Sequence, residues 1–275
     1  MKQTKTKLNR FIDHTNLKLD ASEAEITKLA NEAKENSFNS ICIRPEWLEE
    51  FANEYKCSAV IDFPKEVIEI GIRHCEERSD VAIQSDIIMA RKIIGNSSPE
   101  EKIQEAKEAL EKGALELDPV IGIANLFKVE EELRAYIELM NEADKELWLK
   151  PIFSCELLSY EEINQTIESF SKEVSRHLCM KPESKLKFAY KNSTGFIRHC
   201  EEQSDVAIQS LNFTSVELIS FIAKQLDAND PSGLIKIKAA GGIRDYTTAM
   251  KIILASNGRL SHIGTSSGLA IISSS

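Results

Sequence analysis

Eight short β-prone runs, alternating with helical patterns, constrain this chain more than any other feature of its sequence. The runs are Phe11 to Thr15 (FIDHT), Ser40 to Arg44 (SICIR), Ala59 to Phe63 (AVIDF), Leu115 to Ile121, Leu147 to Phe153, Lys187 to Lys191, Ile235 to Ala239 and His262 to Gly264. Strands separated by helices need crossover connections and so pair in parallel, and eight is the number that closes such a sheet on itself. The expected fold is α/β, a (βα)8 TIM barrel. Helix starts fall where that reading needs them. Ser22 with Glu25, Ser159 with Glu162 and Thr214 with Glu217 form capping boxes ahead of apolar residues at helical spacing. Ser98-Pro99 opens a further helix that runs through Leu110 and stops at Gly113.

A length of 275 residues, 42% hydrophobic and 28% charged, suits one domain over 1–275 with a single large core. No run approaches the roughly 18 to 20 apolar residues that span a bilayer, and the Lys-rich opening has no apolar stretch behind it. A net charge of −10 argues against a nucleic-acid partner, which would need a positive footprint. The six cysteines show no CxxC spacing, so free thiols in the cytoplasm are expected. Neither a membrane nor a cofactor is implied, and a homo-oligomer is compatible with everything above.

One feature interrupts the pattern. Ile72 to Ser85 reads IRHCEERSDVAIQS and Ile197 to Ser210 reads IRHCEEQSDVAIQS, so the two copies differ only at Arg78 against Gln203. Solenoid repeats are contiguous and drift, whereas these are distant and nearly identical. They resemble translated palindromic elements that some bacterial genomes carry within genes. The expectation is two inserted segments, about 66–94 and 197–210, in the βα loops after strands three and six. Removing the first joins Asp62 to Lys65 directly to Gly95 to Ser98, a normal short turn. The pairs His74-Cys75 and His199-Cys200 that the copies contain suit zinc poorly, because adjacent residues chelate badly, and no metal is expected.

Catalytic groups in this fold come from the C-terminal ends of strands. Lys191 closes Lys187 to Lys191 and is followed by Asn192, Ser193, Thr194 and Gly195, and Lys238 takes the corresponding place one strand later. Two ammonium groups brought together disfavour each other's charge, so one amine can be freed to attack a carbonyl. Lowering a lysine from about 10.4 towards 7 to 8 corresponds to about 3 to 4 kcal/mol. Two ordinary surface lysines are the alternative. Asp118, at the end of strand four, can move protons during carbon–carbon bond chemistry or serve as a buried lysine partner, and Asp13 carries the same ambiguity. Gly241-Gly242 after strand seven and Gly264 to Gly268 (GTSSG) after strand eight suit a phosphate held by backbone N–H groups.

Taken in order, Phe11 to Thr15, Ser40 to Ile43, Asp62 to Pro64, Glu116 to Asp118, Lys191 to Gly195, Lys238 to Arg244 and Gly264 to Ser267 resemble the motif series of deoxyribose-phosphate aldolases over nearly the whole chain apart from the repeats. The resemblance implies a metal-free class I aldolase that cleaves 2-deoxy-D-ribose 5-phosphate to glyceraldehyde 3-phosphate and acetaldehyde. It puts Lys191 on the Schiff-base lysine, Lys238 on the lysine that tunes it and Asp118 on the proton-transfer aspartate. Asp13, Thr15 and Cys42 fall on substrate-lining positions, while Thr194, Gly195, Gly241, Gly242, Gly264, Ser266 and Ser267 fall on the phosphate-side loops. There are departures. Phe196 stands where many members carry a lysine, Pro119 and Pro151 lie in or beside central strands, and little chain follows Gly268. These departures define the alternative, a catalytically impaired barrel kept for binding or as the product of a decaying gene.

Overall fold

The structure, a computed structural model, describes residues 8–64, 80–194 and 214–273, with the backbone alone for 80–86. Eight parallel strands close into a barrel in sequence order: β1 (Ile12–Thr15), β2 (Ser40–Ile43), β3 (Cys57–Ile61), β4 (Glu116–Pro119), β5 (Leu147–Leu149), β6 (Leu186–Lys191), β7 (Ile235–Ala240) and β8 (Leu260–Thr265). The helices outside it are α1 (Glu23–Glu35), α2 (Leu48–Phe51), α3 (Asp80–Ile93), α4 (Pro99–Glu111), α5 (Val129–Asn141), α6 (Tyr160–Met180), α7 (Ser215–Asn229), α8 (Tyr246–Ala255) and the short α9 (Gly268–Ser273). None of the described helices is long and apolar enough to cross a membrane. Full capping boxes open α1, α4, α6 and α7, with Ser22, Ser98, Ser159 and Thr214 each accepting from the backbone of a glutamate three residues on. Each satisfies an otherwise orphaned N–H where a strand-to-helix loop must stop, so local chemistry fixes where each crossover begins.

Side-chain alternation sorts the strands into two layers. Outward residues such as Ile12, Ile41, Ile43, Leu117, Leu149, Ile237 and Ile263 are buried in the shell between sheet and helices. The inward layer holds Asp13, Ser58, Glu116, Asp118, Lys191, Lys238 and His262 instead of the branched aliphatics that usually fill such a barrel. Buried charge on this scale survives only when every group is paired.

The expected strand spans are trimmed at several ends. Leu115 to Ile121 yields β4 and one bridge from Val120 to Ile152, and Leu147 to Phe153 yields the three residues of β5. Pro119 and Pro151 sit at or beyond strand ends and contribute their carbonyls: Pro119 accepts from the Ile152 N–H at 2.8 Å and Pro151 from the Lys191 N–H at 3.0 Å. A residue that lacks a donor is tolerated where only its acceptor is used. Gly264 lies within β8, so the loop after that strand starts later than the sequence reading placed it, and Gly241-Gly242 forms a turn before α8 without opening the helix, whose cap is Asp245. Of the first repeat, Asp80 onward is helical, so Val81 to Ile83 do not form a barrel strand, and Ala90 and Ile94 are buried in the core. The second repeat, Gly195, and the His-Cys pairs at 74–75 and 199–200 lie outside the described residues.

Candidate active site

β6 and β7 run side by side in a register that makes Lys191 the direct neighbour of Lys238. Lys191 ends β6 and Lys238 lies two residues before the end of β7, both facing inward near the C-terminal mouth, and both are buried. Between them lies Asp118 of β4. Its Oδ2 is 2.7 Å from the Lys191 Nζ and 2.8 Å from the Lys238 Nζ, while its Oδ1 accepts from the Ser58 hydroxyl at 2.9 Å. Lys238 also reaches Asp13 Oδ2 at 2.6 Å. The other Asp13 oxygen accepts from Asn39 and Ser40, each at 2.7 Å, which fixes the carboxylate from the β2 side. Gly264 on β8 makes room for this chemistry, since a Cβ there would stand 3.3 Å from the Lys238 Cε.

The sequence reading missed a third lysine. Lys150, immediately after β5, has no solvent exposure and contacts Asp13 at 3.2 Å, Asp118 at 3.3 Å and Glu116 at short range. Its signal was present, because Lys150 ends an apolar run just as Lys191 does, but the adjacent Pro151 drew attention to a broken strand. Glu116 was missed with it; Glu116 and Asp118 share the inward face because Leu117 lies between them on the outward one. The barrel thus balances Lys150, Lys191 and Lys238 against Asp13, Glu116 and Asp118. Asp13, Glu116 and His262 bring three potential metal-ligand atoms within 4.8 Å of one another. That donor set already holds a cation, the Lys150 ammonium between Asp13 and Glu116.

Burial and neighbours divide the lysines. Burial pushes Lys191 down, and the Lys238 charge adds to this against the opposing pull of Asp118. At Lys238, burial acts the same way but is outweighed by Asp118 and Asp13, which hold it well above the usual range. Lys150 is likewise held up by Asp118, Asp13 and Glu116 in spite of burial. Burial would raise the carboxylates, but the lysines overcome it: Asp118 and Asp13 are held far down, and Glu116 falls to about 2. The arrangement gives one amine whose charge is disfavoured by burial and by a neighbouring fixed cation, the pairing that carbonyl attack calls for.

The remaining expected residues are divided between the mouth and the loops around it. Thr15 and Cys42 are register partners on β1 and β2; Cys42 is buried and the Thr15 hydroxyl donates to its own strand at the Asp13 carbonyl. Thr194 is buried beside Ser193, and Gly241 and Gly242 adopt φ of +91° and +70°, open to glycine at little cost. The Asn192 amide ties the loop after β6 to the end of β7 by donating to the Ala240 carbonyl at 3.0 Å and accepting from its N–H at 2.8 Å. After β8, the Ser267 N–H donates to the Thr265 hydroxyl, and Ser266 is exposed.

No protein-family model matches the chain. Among curated relatives, the deoxyribose-phosphate aldolase of Streptococcus sanguinis is 32% identical over 271 residues, covering 97% of this chain and 96% of its own. That of Brevibacillus brevis is 30% identical over 271 residues, covering 96% and 95%. Among solved structures, an aldolase designated QR15 superposes with a TM-score of 0.68 at 25% identity over 97% of this chain and 94% of its own. A tetrameric deoxyribose phosphate aldolase from Aeropyrum pernix gives the same score at 21% identity, over 98% and 91%, and supports the fold. A full-length likeness of this strength, arriving at a barrel whose mouth holds paired lysines around one aspartate, places the chain in the deoxyribose-phosphate aldolase family.

Proposed function

We propose that the chain cleaves 2-deoxy-D-ribose 5-phosphate to glyceraldehyde 3-phosphate and acetaldehyde as a class I aldolase, with Lys191 as the imine-forming residue. The observation that carries this reading is the Asp118 oxygen shared by a buried Lys191 and a buried Lys238. In the open-chain substrate the Lys191 amine attacks the C1 aldehyde. Asp118 carries the proton released by nitrogen to the alkoxide, giving a carbinolamine, and a second proton from solvent lets its hydroxyl leave as water, forming the iminium. Asp118 then takes the C3 hydroxyl proton as the C2–C3 bond breaks, releasing glyceraldehyde 3-phosphate and leaving the bond's electron pair in an enamine on Lys191. Protonation at C2 and hydrolysis give acetaldehyde and the free amine. The iminium supplies the electron sink, so no metal or cofactor is needed. Asp13, Thr15 and Cys42 line the aldehyde side, and Thr194, Gly195, Gly241, Gly242, Gly264, Ser266 and Ser267 form the phosphate side.

This reading extends to the whole chain as one domain, cytoplasmic and without a nucleic-acid partner. Its support is the negative net charge and the free Cys42, Cys57, Cys155 and Cys179. The tetrameric neighbour supports a homo-oligomer as the working assembly. The repeats are inserted segments: across the first, the Ser97 hydroxyl donates to Asp62 at 2.5 Å, so the flanks of the segment already meet. The decisive assay follows acetaldehyde release from 2-deoxyribose 5-phosphate by the wild type and by Lys191→Ala. Release by the wild type that persists in the variant removes Lys191 from its role, and no release by either removes the aldolase reading.

A further inference from the structure

The turn after β5 carries a carboxylate that the mechanism above does not use. Ser154 adopts φ of +46°, an uncommon conformation for a residue with a side chain, and the following 3-10 turn, Cys155–Leu157, swings Glu156 under the loop after β6. Glu156 is only 8% exposed. Its Oε1 accepts from the Ser193 hydroxyl at 2.9 Å, and its Oε2 is buried without a hydrogen-bond partner. Ser193 in turn presses on the loop after β7, since a Cβ on Gly241 would stand 3.1 Å from its hydroxyl oxygen. The Gly241 carbonyl accepts from Ser215 at the start of α7. Glu156 therefore holds Ser193, which lies next to Thr194 in the chain and against Gly241, two of the positions assigned above to the substrate's phosphate.

We propose that Glu156 is a specificity-determining residue which, as a carboxylate, opposes entry of a phosphate dianion and admits it on taking up one proton. The inference rests on the phosphate assignment of the preceding section. Burial raises the Glu156 carboxyl to about 7, even though the nearby donors of its own backbone, Ser193 and Thr194 favour the charged form. Among the described residues, groups facing it from neighbouring elements offer no compensation. Burial keeps the Cys155 thiol and the Tyr190 hydroxyl protonated, and Arg91 of α3, which packs on this turn, is engaged by Glu162 of α6. Among the described residues no cation pairs with Glu156. An unphosphorylated aldol such as 2-deoxyribose brings no dianion to this loop, so its cleavage is indifferent to the Glu156 charge. The ratio of activity on the ester to activity on the free sugar is then set by protonation of one residue.

Inorganic sulfate is the cleanest probe, because it remains a dianion throughout the range in which Glu156 titrates. Calorimetric titration of the wild type should give a Kd about tenfold weaker at pH 8 than at pH 6, as the competent, protonated fraction falls. One proton should be taken up per sulfate at pH 8. Glu156→Gln should bind sulfate at pH 8 as tightly as the wild type does at pH 6, with no pH dependence. Its kcat/KM ratio for 2-deoxyribose 5-phosphate over 2-deoxyribose should rise about tenfold at pH 8. Sulfate affinity in the wild type that is flat with pH, no binding at all, or a Glu156→Gln variant that loses both substrates equally overturns the proposal. The wild-type titration and proton count decide the matter even where the variant does not fold. An active aldolase with pH-independent sulfate binding defeats this inference alone, whereas pH-dependent sulfate binding without cleavage defeats the aldolase reading and leaves the Glu156 assignment standing.

Discussion

Replacing Lys238 by leucine removes the fixed charge proposed to hold Lys191 down, and the geometry sets the size of the effect. Both ammonium nitrogens lie on one Asp118 oxygen, at 2.7 and 2.8 Å, so they are no more than about 5.5 Å apart. At an effective dielectric of about 20, two unit charges at that distance repel by about 3 kcal/mol, or about two pKa units. Removing Lys238 also leaves Asp118 with one cation fewer to share, which acts in the same direction on Lys191. The acid limb of kcat/KM should therefore move about two pH units alkaline, and activity near pH 7 should fall roughly a hundredfold. Lys150 still contacts Asp13 and Asp118, so both carboxylates keep a partner and the variant should fold, with reduced stability. Measuring imine formation with acetaldehyde by borohydride trapping across pH isolates the amine from later steps. An acid limb that does not move in Lys238→Leu, while activity falls, would refute the charge argument and make Lys238 a group that touches substrate.

Three further outcomes follow from the same charges and contacts. Lys150→Met leaves Glu116 and Asp13 short of a cation at full burial, which should cost about 3 to 5 kcal/mol and lower the melting temperature by roughly 10 °C, with partial recovery on adding Glu116→Gln. Asp13, Glu116 and Asp118 have folded pKa values below their unfolded ones, so the stability they confer is fully present above about pH 4.5 and is lost as the pH falls through the folded values; melting temperature should hold down to about pH 5 and then drop steeply towards pH 2. Excising 66–94 should leave a folded barrel, because Asp62 and Ser97 already bond across the cut, but at a cost of roughly 3 kcal/mol for losing buried Ala90 and Ile94, and a chain that stays unfolded by circular dichroism would show the segment to be integral.

What the sequence makes legible here is whatever depends on neighbours in the chain. Capping glutamates three residues after Ser22, Ser159 and Thr214 mark helix starts because the bonds they make are local, and lysines at or near the C-terminal ends of consecutive strands, Lys191 and Lys238, fall at one mouth once the barrel is assumed. The third lysine escaped because its role depends on Asp13, Glu116 and Asp118, which reach it only across the closed sheet. Glu156 is harder still. An acidic residue in a tight turn is ordinarily solvated, and only the packing of three loops turns this one inward. Pro119 and Pro151 misled in the other direction, since a strand-disfavouring residue is harmless where the ladder uses only its carbonyl.

The central claim is that Lys191 carries the substrate, and trapping tests it most directly. The wild type incubated with acetaldehyde and borohydride should gain the net mass of C2H4, an ethyl group in place of one hydrogen, located by peptide mass on Lys191, and Lys191→Ala should gain none. Label on Lys150 or Lys238 in the wild type, or label undiminished in Lys191→Ala, would contradict the account.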